Sequence, residues 1–206
     1  MTFTVLARDG ERIGAATASR SLAVGASVIA VDPAVGAVAS QAWTNRGLRA
    51  LLLGELRAGA SAEAAVQRVP EWDAGEALRQ VGALPWDGIG AARSGVDISA
   101  WAGARITPDA VFVGNLLAGA GVLDAMATAW ADAAGTDLAD RLLAVLRAGD
   151  DAGGDARGRQ SAALLVASRA ETVLDLRVDD HADPLCELAR LRRLADAPVE
   201  VPAAHG

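Results

Sequence analysis

At the start of the chain Thr2, Thr4, Leu6 and Arg8 alternate with Phe3, Val5 and Ala7, and this period of two predicts a strand over residues 2–8. Asp9-Gly10-Glu11-Arg12 has the composition of a hairpin turn, so residues 13–19 are expected to return as a second strand. Residues 28–31 and 35–40, joined at Asp32-Pro33, predict another strand pair. Gly14, Ala15, Ala16, Gly36 and Ala37 give these strands little bulk, which suits a sheet pressed against a second sheet.

The period then lengthens. Leu48, Leu51, Leu52, Leu53 and Leu56 recur at helical spacing over residues 47–58, and Gly59 stops the run. Ser61 is placed to cap a helix over 62–69 that Pro70 ends, with a further turn expected within 71–78. Extended segments follow at 80–84, 88–93, 100–106 and 110–113. A second helix pair is predicted next: Val122, Leu123, Met126 and Trp130 share a face over 121–133, and Thr136 is the expected cap of a helix over 137–148. Beyond a polar loop at 149–159, residues 161–168 and 171–178 read as a hairpin of buried strands. Asp183 is placed to cap a last amphipathic helix over 184–194.

Strand pairs thus alternate with helix pairs. Helices that arrive in pairs cover one outer face each time, so the expected class is α+β, a four-layer helix–sheet–sheet–helix sandwich of two antiparallel sheets. A length of 206 residues supports one domain, placed at 1–195, with a flexible Pro/Ala-rich tail at 196–206.

Composition narrows the chemistry. Hydrophobic residues make up 52% but aromatics only 3%, so the core has to be built from Ala, Val, Leu and Ile. A formal charge of -7 removes the basic face that nucleic acid requires. The 19 basic side chains are all Arg, which excludes a Schiff-base lysine, a Walker lysine and a Ser-Lys dyad. His181, His205 and Cys186 are too few for a Cys/His zinc site, and no metal or cofactor is expected. Cys186, alone, excludes an intrachain disulfide and is read as a small packed hydrophobe in a reducing compartment. No run approaches the roughly 18 apolar residues of a membrane span, and no leader is visible, so a cytoplasmic protein without membrane contact is expected.

Thr2 is the first residue with chemistry of its own. If Met1 is removed, as the small Thr2 side chain permits, a hydroxyl and a free α-amine share one residue. The amine's reference pKa of about 7.7–8.0 leaves part of it unprotonated near neutrality, able to take the hydroxyl proton. The plain alternative is a threonine that merely follows the initiator. Elsewhere, the loop from Asp150 to Asp155 lacks the ligand ladder and terminal Glu of an EF-hand. Asp179-Asp180-His181 with Ser161 or Ser19 invites a Ser/His/Asp reading, but Asp183 as a cap with His181 bonded to nearby backbone accounts for the segment more simply.

This order of pairs behind a threonine at position two resembles the N-terminal nucleophile hydrolases, the group of proteasome β-subunits, asparaginases and penicillin acylases. Ala18-Ser19-Arg20 is similar to the Asp-Ser-Arg of proteasome β-subunits, with Ala18 in the acidic place. Gly114-Asn115 lies where that group has a Gly-Ser-Gly turn, and Asp150-Asp151-Ala152-Gly153-Gly154 resembles its Asp-x-x-Ser-Gly-Gly loop. A closer resemblance covers nearly the whole chain. Ala18-Ser19-Arg20 with Ala23-Val24-Gly25-Ala26, Gly36-Ala37-Val38-Ala39 with Gln41, Arg79-Gln80-Val81-Gly82, Gly114-Asn115 with Leu117-Ala118-Gly119, the run from Gly158 to Val166, and the run from Asp175 to His181 are similar, in order, to the DUF1028 family. That family is placed in the same superfamily and was named for its unknown function. The chain departs from the group in having no lysine near Thr2, with Ala34 near the equivalent spacing, and from the family in lacking a His after Ala102-Gly103.

The resemblance implies a catalytic set of Thr2 as nucleophile, Asn115 as oxyanion donor and Asp151 as the carboxylate orienting the amine. Ser19, Arg20, Gln41 and Gln160 form the expected substrate set, with Arg20 suited to gripping a carboxylate bidentately. The expected activity is hydrolysis of a small acyclic amide or ureido-type compound through an acyl-enzyme, since short loops leave little room for a polymer. The alternative is a non-catalytic small-ligand-binding or scaffold protein that keeps the fold. Exposed members of Trp43, Trp72, Trp86, Trp101 and Trp130 would support a homo-oligomer.

Overall fold

The structure, a computed structural model, describes residues 2–197. The expected tail lies outside the described residues from position 198 onward.

The chain opens with the hairpin β1 (Thr2–Asp9) and β2 (Arg12–Ser19), then a short helical turn α1 (Val24–Ser27) and the pair β3 (Ile29–Asp32) and β4 (Gly36–Ala42). Three helices, α2 (Gly47–Arg57), α3 (Ala62–Gln67) and α4 (Val69–Trp72), lead into β5 (Arg79–Pro85), β6 (Ala91–Ser94), β7 (Gly103–Ile106) and β8 (Ala110–Asn115). The long helices α5 (Gly121–Asp132) and α6 (Leu138–Asp151) precede β9 (Ser161–Ser168), β10 (Thr172–Val178) and α7 (Pro184–Ala195). The fold is mixed α+β with two antiparallel sheets, six strands ordered β10-β9-β2-β1-β8-β7 and four ordered β3-β4-β5-β6. No helix among the described residues is long and apolar enough to cross a membrane.

Alternation decides which side chains meet. On β1, Phe3, Val5 and Ala7 pack with Leu123, Met126, Leu142 and Leu146 of α5 and α6. Leu6, on the opposite face, packs with Ile13, Val111 and Leu165 of its own sheet and with Ala37, Ala39 and Leu84 of the four-stranded sheet. The outer face of that smaller sheet meets Leu48, Leu52, Ala65 and Val66 of α2 and α3 through Val38, Val81 and Ala83. β1 is therefore buried on both faces and paired on both edges, as is its neighbour β2.

The structure revises several sequence expectations. Pro70 does not end a helix; it lies in the first turn of α4, where its missing N–H costs nothing. Asp137, not Thr136, caps α6 by accepting from Ala139 N, while the Thr136 hydroxyl turns back to Ala133 O. α6 also runs three residues beyond its expected end, drawing Gly149, Asp150 and Asp151 out of the polar loop into the helix. β10 is an edge strand that buries only one face: Leu174, Leu176 and Val178 turn to the core, while Val173, Asp175 and Arg177 are exposed. Cys186 is exposed rather than packed, since α7 turns Leu185, Leu188 and Ala189 to the core instead. Ser61 and Asp183 cap α3 and α7 as their positions predict.

Candidate functional site

Residues two apart on a strand share a face, so Thr2 and Thr4 point with Leu6 toward the second sheet. The same parity directs Thr17 and Ser19 with Ile13 and Ala15, and Asn115 with Val111 and Val113. Register brings the polar members together: Thr2 lies opposite Ser19 on one side and Asn115 on the other, and Ser19 lies opposite Ser161. Thr2 Oγ1 donates to Ser19 Oγ at 3.2 Å, with both residues buried.

Two glutamines of the smaller sheet close this end from across the gap. Gln41 Nε2 donates to Thr2 O at 3.2 Å and to Gln80 Oε1 at 2.7 Å, while Gln41 Oε1 accepts from Thr4 Oγ1 at 2.7 Å. Gln80 Oε1 also accepts from Asn115 Nδ2 at 3.1 Å, and Gln80 Nε2 donates to Gly114 O at 3.0 Å. Gln41, expected among substrate groups, is fully buried behind Thr2 and holds its carbonyl. Such a network is stable because both glutamine amides find partners on their oxygen and their nitrogen.

In front of Thr2 is a cavity of about 230 Å³ lined by Thr2, Ser21, Leu22, Val24, Ser27, Val28, Ala42, Thr44 and Arg46. Two connections form its walls, from β2 into α1 and from β4 into α2. Gly25 brings α1 against β9: a Cβ there would meet Ala163 Cβ at 2.4 Å. The second connection is tied down by Asp73, which accepts from Asn45 Nδ2 at 2.8 Å and Arg79 Nε at 2.8 Å, while Arg79 Nη1 reaches Trp43 O. The Arg79 guanidinium, with help from Asn45 and Gly75, holds the Asp73 carboxyl at about 2 against the opposing effect of burial.

Three non-glycine residues among those described have left-handed φ, and all belong to this end: Ala23 (53°), Ala42 (70°) and Leu116 (51°), the last directly after Asn115. Side chains in that region carry strain that persists where surrounding contacts over-determine it, a frequent property of functional sites. A larger cleft of about 580 Å³ opens at the other end of the smaller sheet, around Ala34, Trp86 and Arg169. Its arginines, Arg57 and Arg169, are committed to Asp32, Asp87 and Glu11.

The model of DUF1028, described as a family of unknown function, matches residues 2–188. The chain belongs to that family. A crystal structure of protein SPO2555 from Silicibacter pomeroyi, assigned to DUF1028, is 35% identical, with a TM-score of 0.89 over 96% of this chain and 90% of that one. No curated protein matches.

Of the residues expected to act in this DUF1028 chain, Thr2, Ser19, Asn115 and Gln41 converge. Arg20 and Gln160 meet each other beside them, with Arg20 Nη1 3.4 Å from Gln160 Oε1; of all these residues Thr2 lines the cavity, and Ser19, Asn115 and Gln41 are packed beside and behind it. Gln160 is further held by Asp180, to which its Nε2 donates at 3.0 Å. Asp151 is not brought to this cavity. It ends α6, the helix packed under Phe3 on the opposite face of β1, and lines surface clefts with Arg147. The carboxylate that does reach the β2 end is Asp155, buried and accepting from Arg20 N at 2.9 Å and Arg157 N at 2.8 Å. In the neighbouring helix end, burial pushes the Asp150 carboxyl up, against the pull of Arg159. His181 Nδ1 accepts from Asp183 N at 3.0 Å, the backbone role expected of it.

Sequence reasoning left out Gln80, Ser27, Thr44 and Arg46. Gln80 had a signal, being polar on the inward parity of an otherwise apolar strand. Thr44 and Arg46 come from an irregular connection and Ser27 from the four-residue α1, where no periodicity marks direction.

Proposed function

We propose that this DUF1028 chain is an N-terminal threonine amidohydrolase that cleaves a small acyclic amide or ureido-type compound after removal of Met1. With that reading goes the finer fold assignment, a four-layer sandwich of the N-terminal nucleophile hydrolase type. The observation that carries it is the position of Thr2: first residue of one of the two central strands, hydroxyl on the inward face, lining a strained cavity. A volume of about 230 Å³ suits a compound smaller than the usual drug-sized ligand.

In the proposed reaction the freed α-amine takes the proton of Thr2 Oγ1 as that oxygen attacks the amide carbon. Asn115 Nδ2 carries two hydrogens; one goes to Gln80 and the second is the proposed donor to the oxyanion. The C–N bond breaks as the leaving nitrogen takes the proton from the amine, and an ester remains on Oγ1. Water then adds to the ester carbon, giving a proton to the amine; the C–Oγ1 bond breaks, Oγ1 recovers a proton, and a carboxylic acid leaves.

Intact mass of the purified protein and ammonia release from a panel of small primary amides test this. The expected result is a mass lacking Met1, with turnover in wild type that Thr2→Ser retains in part and Thr2→Ala loses. A protein that keeps Met1, or equal turnover in wild type and Thr2→Ala, would overturn it. A second reading, a non-catalytic small-ligand-binding homo-oligomer, draws support from Leu22 and Trp43, exposed at 65% and 67% on the two cavity connections. Binding without turnover, in a protein that sediments as an oligomer, would favour that reading.

A further inference from the structure

Among the residues lining the Thr2 cavity Arg46 is the one charged side chain; the others are hydroxyls and small apolar groups. Its Nη2 donates to Ser27 Oγ at 2.7 Å, which fixes the guanidinium against α1. Arginines in this chain are commonly matched with carboxylates, as Arg79 is with Asp73 and Arg177 with Asp175. With 26 acidic residues to 19 basic ones, partners are in excess. Yet no ion pair involves Arg46 among the described residues. Its neighbour Arg49 is committed to backbone, with Nη1 on Ile29 O at 2.8 Å and Nε on Arg46 O at 3.3 Å. Burial and then the charges of Arg46 and Arg177 hold the Arg49 guanidinium below its ordinary pKa.

We propose that the compound recognised at Thr2 is a short amide that also bears a carboxylate, and that Arg46 grips that carboxylate while the amide carbon faces Thr2 Oγ1. This rests on the amidohydrolase reading for the identity of the reacting end. The charge preference follows from the cavity alone. A guanidinium presents a fork of donors that matches a carboxylate, and Arg46, which is solvent-accessible and has no carboxylate of its own, is open to one that enters the cavity. Leu22, Val24 and Val28 supply apolar walls for a short carbon chain between the two ends. Arg20, the carboxylate anchor expected from sequence, is turned to Gln160 outside the lining.

The test uses succinamate and succinamide, which differ in one carboxylate, and reads binding separately from turnover. Isothermal titration of the full-length Thr2→Ala protein is expected to give succinamate an affinity about tenfold or more above succinamide, shrinking at high salt. Adding Arg46→Gln should erase the difference, and Arg46→Lys should keep part of it. Because Arg46 is exposed, both variants are expected to unfold at the temperature of their parent. Equal affinities, no succinamate binding, or a preference that survives Arg46→Gln would overturn the proposal. Ammonia release by wild type separates the two readings. Release from both compounds at equal rates removes the charge preference and leaves the hydrolase; charge-selective binding with no release removes the hydrolase and leaves the anion subsite.

Discussion

Between the two sheets, the same strands present two different interiors. Toward one end the facing side chains are Leu6, Ile13, Ala37, Leu84, Val111 and Leu165, which pack as a dry cluster. Toward the other they are Thr2, Thr4, Ser19, Gln41, Gln80 and Asn115, all buried and cross-linked by hydrogen bonds. β1 contributes to both, from Leu6 to Thr2, without changing face. Apolar burial is non-directional and stabilises by area, whereas a buried amide or hydroxyl is tolerated only in a fixed geometry. The apolar end therefore supplies stability and the polar end supplies placed donors and acceptors, next to the cavity and the strained connections. A single strand pattern serves two physical purposes.

The widest separation between the ends is expected from Thr2→Ala and Leu6→Ala measured side by side. Thr2→Ala should lower amide turnover at least ~10³-fold, the range seen when a nucleophile is removed, while costing about 0.5–1.5 kcal/mol for the lost bond to Ser19. Leu6→Ala should cost about 2–5 kcal/mol in denaturant unfolding, because it opens a cavity among fully buried neighbours. If Thr2→Ala proved the more destabilising, the division between the ends would fail.

Gln80→Leu comes next, at about 1–3 kcal/mol, because it strands Gln41 Nε2, Asn115 Nδ2 and Gly114 O. A double-mutant cycle with Gln41→Met should show coupling above about 0.5 kcal/mol. Additive losses would mean that the two amides do not act as one network. Gly25→Ala is expected to cost about 1–3 kcal/mol by forcing α1 off Ala163, and to weaken succinamate binding through the displaced Val24 and Ser27. Unchanged binding at that stability cost would show that α1 does not shape the cavity.

The smallest effect concerns pH. Asp73 has its folded carboxyl at about 2, below the ordinary 3.8, so its contribution is complete above the ordinary value and is lost as pH falls through about 2. Wild type should exceed Asp73→Asn by about 1–2 kcal/mol near neutral pH, allowing for screening, and by little near pH 2. Since Asp73 ties the loop holding Trp43 and Asn45, hydrogen exchange in that loop should rise on acidification before that of β1 does. A stability gap independent of pH would show that the carboxylate's charge is not what anchors the loop.

Much of this was legible along the chain. Alternation located β1, β2, β4, β5, β8 and β9 to within a few residues, and leucine spacing located α2 and α6. Strong periodicity survives folding because it is what burial selects. The edge strand β10 differs from the buried strand expected because only Leu174, Leu176 and Val178 turn to the core, while Val173, apolar in sequence, lies on the face left open with Asp175 and Arg177. α1 was invisible, since a four-residue turn has no period to detect. Asp151 belongs by composition to the polar loop, but the longer α6 carries it to the other face of β1 and leaves Asp155 to reach the site.

By itself the sequence determined most of the buried stripes, the mixed strand-and-helix order and the presence of a threonine at the start of a strand, because each follows from local period and composition. It also placed Thr2 and Ser19 at strand ends, whereas Asn115, expected in a turn after residue 113, closes β8. Only the tertiary structure decided that these ends lie in one row, that Gln41 and Gln80 cross from the other sheet to hold them, and that Arg46 stands in the cavity without a carboxylate. Register and the packing of one sheet on another join residues far apart in sequence, such as Thr2 with Asn115 and Gln41 with Thr4. The direction of a side chain in a loop such as 43–46 is set by ties like Asp73 with Arg79, for which the chain carries no periodic sign.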